Sequence, residues 1–103
     1  MDIELADIHV EALIWSGEVI EKLLRLDRID VAEAESILDN NPVFIVNGPR
    51  PTRVATYGIF GRSDLGHSIA IYVSETGTPG VWQVHTALRS RIAHRILQRE
   101  GRI

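Results

Sequence analysis

The stretch from Arg53 to Thr86 most narrows what this chain can become. It holds three runs rich in β-branched and aromatic residues: Arg53 to Phe60, His67 to Val73, and Val81 to Thr86. The first two are separated by Gly61-Arg62-Ser63-Asp64-Leu65-Gly66, and the last two by Ser74 to Gly80, with two glycines and Pro79. Such runs, punctuated by Gly, Pro, Ser and Asp, predict an antiparallel meander. Side chains alternate across a strand, so one face should carry Ile69, Ile71, Val73, Trp82 and Val84. The opposite face should carry Tyr72, Gln83 and His85, joined by Arg53 and Tyr57 from the first run. The spacing therefore predicts an apolar face under helices and a wetter face left open.

The rest of the chain supplies those helices. Residues 1–7 read as frayed, and Ile8 to Trp15 alternates as a strand would. Ser16 is a natural N-cap, with Glu18 favourable in the first turn. Val19, Ile20, Leu23 and Leu24 then form one helical stripe to about Leu26. Asp30 and Glu33 have capping-box spacing and open a second helix, whose stripe is Val31, Ala34 and Leu38. Asn40-Asn41-Pro42 stops it. Val43 to Val46 reads as a short strand and Asn47 to Pro51 as a loop. Thr86 is the expected cap of a last helix with a stripe of Leu88, Ile92, Ala93, Ile96 and Leu97. The predicted class is α+β: an antiparallel sheet of four to five strands, an N-terminal αα-hairpin and a C-terminal helix, in one domain of residues 1–103.

Composition narrows the functional classes. With 45% hydrophobic and 24% charged residues, the chain is ordinary for a globular domain, and its 103 residues suit one core rather than two. No apolar run approaches the ~20 residues that span a bilayer. The start, MDIELADIHV, lacks the basic and apolar regions of a signal peptide, which predicts a cytoplasmic location. Without cysteine there are no disulfides or thiolate metal sites. Charge is uneven: residues 1–41 carry −8, residues 42–86 carry +1 and residues 87–103 carry +4. An acidic front and a basic tail suit contact within one molecule, self-association or a separate partner. His9, His67 and His94 show no ligand spacing, and the glycines sit in a hairpin rather than a strand-to-helix turn, so no metal, nucleotide or other cofactor is expected.

Several strings, in order, resemble the BrnT family of toxins from type II toxin–antitoxin systems. They are Leu13-Ile14-Trp15 before a helix, Asp30 to Leu38, Pro42, the arginine-led strand from Arg53, the hairpin Gly61 to His67, and Val84-His85-Thr86-Ala87 running into the last helix. The resemblance covers almost the whole chain. It implies a RelE-like fold, mRNA cleavage, and neutralisation by an antitoxin with a ribbon-helix-helix DNA-binding part. The chain departs from the family in polar positions. Lys22 stands where the family usually has a histidine, Asp27-Arg28 where it has His-Gly, and Leu88 where it has an arginine. This pattern fits a diverged member with shifted chemistry, or a binding subunit that has lost catalysis.

RNA cleavage without a metal needs a base for the 2′-hydroxyl, positive charge on the phosphate and an acid for the leaving oxygen. On the expected open face His85 is the candidate base. Arg53 and Arg62 are candidates for the phosphate clamp, since a guanidinium binds phosphate through two hydrogen bonds. Tyr57 is a candidate proton donor, Tyr72 a stacking platform, and Arg89 and Arg91 a hold on the RNA backbone. Each also has a structural reading: surface strand histidine, flanking or solvated arginine, packed tyrosine, solvated helix face.

Overall fold

The computed structural model describes residues 3–47 and 55–103. Arg53, most of the loop before it and the start of the first meander run lie outside the described residues. The elements run β1 (Ala12–Ile14), α1 (Gly17–Asp27), α2 (Val31–Ser36), a 3-10 turn (Ile37–Asp39), β2 (Val43–Val46), β3 (Tyr57–Arg62), β4 (Ser68–Glu75), β5 (Val81–Arg89) and α3 (Arg91–Arg99). The class is α+β, with one sheet of five strands in the order β1-β5-β4-β3-β2. The meander forms as predicted: β2, β3, β4 and β5 pair antiparallel in turn.

The expectation of a purely antiparallel sheet is corrected by β1, which pairs parallel to β5, Ala12 against Val81 and Ile14 against Gln83. Both strands lead directly into helices, α1 and α3, so they leave the sheet at the same end. β1 is also shorter than the alternation of residues 8–15 predicts. The segment before it is held by other means, notably the Trp82 indole N–H donating to the His9 carbonyl at 2.9 Å. Nor are residues 4–6 frayed: Val46 N–H donates to the Glu4 carbonyl and Ala6 N–H to the Phe44 carbonyl, which covers the outer edge of β2.

Local signals explain the helices. The Ser16 hydroxyl accepts from Val19 N–H and caps α1. Arg28 ends that helix in the left-handed region, φ 58°, where glycine is the commoner choice. Asp30 caps α2 by accepting from Glu33 N–H at 2.8 Å. The cap of α3 is Ser90 rather than Thr86, its hydroxyl accepting from Ala93 N–H. Thr86, Ala87, Leu88 and Arg89 stay in β5 because they pair with Tyr72, Ile71, Ala70 and Ile69. β5 also carries one extra residue, His85, between the pairs Tyr72–Thr86 and Val73–Val84.

Packing overturns the expectation of an open face. Ile59, Ile69, Ile71, Val73, Trp82, Val84 and Ala87 do share one face, buried against Leu23, Ile29, Ala34 and Ile37 of the N-terminal helical region. The opposite face is apolar too. There Phe60 and Ala70, with Val43 and Ile45 of β2, bury Ala93, Ile96 and Leu97 of α3. So α3 seals this face over β3 and β4 and leaves Thr86 and Leu88 of β5 exposed. The physical reason is that β3 and β4 are apolar on both sides, and an amphipathic helix covers the second. Leu88 and Ile92, expected in its buried stripe, are instead 37% and 44% exposed. α1 likewise buries only Leu23 fully, leaving Ile20 and Leu24 at the surface.

Candidate phosphate-binding cleft

The residues singled out in the sequence fall into separate places. His85, on the inserted position of β5, is hydrogen-bonded through Nε2 to the Ser74 hydroxyl at 2.6 Å. It lines a hollow of about 360 Å³ where β1 stops and α1 begins, with Ser16, Glu18 and Lys22 opposite. Tyr57 does not line that hollow. It pairs with Val73, packs among the residues under α1 and α2, and meets Trp82 edge-on at 5.4 Å. Tyr72 is on the α3 side, edge-on to Phe60 at 6.0 Å. The expected grouping of His85, Tyr57 and Tyr72 on one open surface is thus corrected: strand alternation puts the two tyrosines on opposite faces, and both serve packing.

Arg89 and Arg91 do come together, and with residues not expected beside them. They line a cleft of about 390 Å³ with Gly66, His67, Ser68, Ser90 and His94. Three elements build it: the hairpin end between β3 and β4, the last residue of β5, and the first turn of α3. Arg62, exposed at the end of β3, lies at its rim; a methyl group on Gly66 would be 3.6 Å from its guanidinium. Arg89 and Arg91 form no ion pair among the described residues. The α3 N-terminus adds the partial positive charge of its free amides. Among the described residues the two guanidiniums are thus not neutralised by an ion pair, and the cleft is of a size that admits one nucleotide unit.

The two imidazoles are held in a particular way. His67 Nδ1–H donates to Glu33 Oε2 at 2.7 Å. Glu33 comes from α2 behind the hairpin, its side chain only 8% exposed, and the same oxygen accepts from the buried Ser63 hydroxyl at 2.7 Å. Ser63 Oγ in turn accepts from His67 N–H. Asn40 and Ser36 clip the hairpin at Arg62 and Asp64. His94 Nδ1 is hydrogen-bonded to the Ser68 hydroxyl at 3.2 Å. Neither Nε2 has a hydrogen-bond partner among the described residues. Each ring is thus anchored by one nitrogen and leaves the other available.

Sequence reasoning missed Glu33, His67 and His94 as a group. The Asp30–Glu33 spacing suggested that Glu33 would reach back to its own cap. It reaches His67 instead, 34 residues further on. Among the described residues no group of three or more His, Asp or Glu is placed to hold a metal ion, and no helix is long and apolar enough to cross a membrane. Comparison with protein-family models, with curated proteins and with solved structures found no match.

Proposed function

We propose that this protein is the toxin component of a type II toxin–antitoxin system, a BrnT-like ribonuclease that acts on mRNA without a metal ion. In this reading an antitoxin with a ribbon-helix-helix part neutralises it. Two things support the reading: the run of BrnT-like strings along the chain, and the cationic cleft at the start of α3. The cleft is the observation that carries it. Two guanidiniums without an ion pair among the described residues, two imidazoles and a helix N-terminus suit a phosphodiester, and phosphate contacts dominate affinity for nucleic acid. His85 and Tyr57 share no hollow, and Arg53 lies outside the described residues, so the cleft at the start of α3 is the better-supported place for the chemistry.

The test is expression in a bacterial host together with RNA assays on the purified protein. Growth arrest, relieved by the adjacent reading frame, and cleavage of single-stranded RNA are expected. Arg89→Ala with Arg91→Ala should weaken RNA binding about a hundredfold or more, as loss of two charge-assisted contacts requires. A second reading, a binding subunit without catalysis, draws support from Lys22, Asp27 and Leu88, where polar residues of the family are replaced. RNA binding without cleavage would favour it. Failure to bind RNA would end both.

A further inference from the structure

We infer that His67 and His94 are the general base and general acid of the cleft, and that Glu33 is the residue that positions His67. The inference rests on the ribonuclease reading and names its chemistry. Two imidazoles line one cleft, each with Nδ1 held and Nε2 without a partner. The Glu33 carboxylate can only accept from Nδ1, so it fixes the tautomer of neutral His67 with its lone pair on Nε2. With Nδ1 held by Glu33 and His67 lining the cleft, Nε2 is the nitrogen left to act as a base. His94 lines the same cleft from the first turn of α3, with Ser68 holding its ring and Arg91 also in the lining. The charged groups around the pair are Glu33 from α2, Arg62 from β3, Arg89 from β5 and Arg91 from α3. Asp64, in the same hairpin, is also charged; it does not line the cleft and accepts from the Asn40 amide.

The step balances without any further reagent. His67 Nε2 takes the proton of a ribose 2′-hydroxyl as that oxygen bonds to the adjacent phosphorus. The bond from phosphorus to the 5′-oxygen breaks, and His94, as imidazolium, gives that oxygen its proton. Arg89 and Arg91 hold the non-bridging oxygens, whose charge grows in the pentavalent state. The products are a 2′,3′-cyclic phosphate and a 5′-hydroxyl. Each histidine ends in the other's starting protonation state, and exchange with water resets both.

The experiment compares the full chain with His67→Asn, His94→Asn and Glu33→Gln on a short RNA across pH 4.5–9. A 2′-deoxy analogue, which binds but cannot react, reports folding and binding in each variant. The unaltered protein should give a bell-shaped kcat/KM, since one group must be free and the other protonated. His67→Asn should lose about 10²–10⁴-fold and the acid limb, and His94→Asn a similar factor and the alkaline limb. A substrate with sulfur in place of the 5′-oxygen needs no acid, so it should restore His94→Asn and leave His67→Asn slow. Glu33→Gln should move the acid limb while binding the analogue normally, a change that loss of mere support would not produce. Cleavage by both histidine variants within threefold of the unaltered protein, at an unchanged pH profile, overturns this inference and leaves the ribonuclease reading standing. RNA binding without cleavage by the unaltered protein overturns both. Should His67→Asn fail to bind the analogue, the exposed His94→Asn decides the matter alone, by its alkaline limb and its sulfur rescue.

Discussion

Among the described glycines, Gly61 leaves the least room for a side chain. It lies in β3 against the 3-10 turn, and a Cβ there would stand 2.6 Å from the Ile37 Cβ and 3.2 Å from the Ile37 carbonyl oxygen. Neither atom is the end of a flexible chain, so the turn itself would have to move. Gly61→Ala should therefore destabilise the protein by about 1–3 kcal/mol, as overpacking does, measured by urea denaturation at unchanged slope. Two of the helix caps, Ser16 and Asp30, could be read from the sequence because a cap is settled within three residues. The Glu33–His67 pair could not. Its two members become neighbours only when the β3–β4 hairpin lies across α2, and no local pattern records that.

At the level of elements, α3 shows where sequence reasoning stops. Its existence and its apolar positions Ala93, Ile96 and Leu97 were legible from helical spacing. Its start and its place were not. The residues before it suit either a strand end or a helix start, and pairing with β4 settles them as strand through Arg89. Which face it covers depends on Ala70, small enough to let a helix lie close, and Phe60, large enough to need cover. Both are fully buried beneath it. Leu97→Ala should remove about 2–5 kcal/mol of stability, since Leu97 has no exposed surface. A thermal melt showing less than 1 kcal/mol would mean that α3 is not docked as described.

Across the whole molecule, the uneven charge of the sequence becomes a separation in space. α1 and α2, from the acidic front, lie on one face of the sheet, and α3 with its arginines on the other. An anionic partner such as the RNA proposed above would meet the basic side and be repelled by the acidic one, which favours a single mode of approach. Binding should accordingly weaken with salt. The slope of log affinity against log salt should fall by about 0.7 for each of Arg89 and Arg91 replaced by alanine, as single-strand counterion release requires. A slope unchanged in both variants, in a titration from 50 to 300 mM salt, would take those residues off the RNA. One further consequence comes from the parallel contact of β1 with β5, whose partners are 69 residues apart, as Gln83 against the Ile14 carbonyl also is. During synthesis β1 has no partner in the sheet until β5, 69 residues further on, has been made. A chain stopped before β5 would lack both the strand that pairs with β1 and Arg89 and Arg91 of the cleft, so a shorter piece of the sheet should not hold that site.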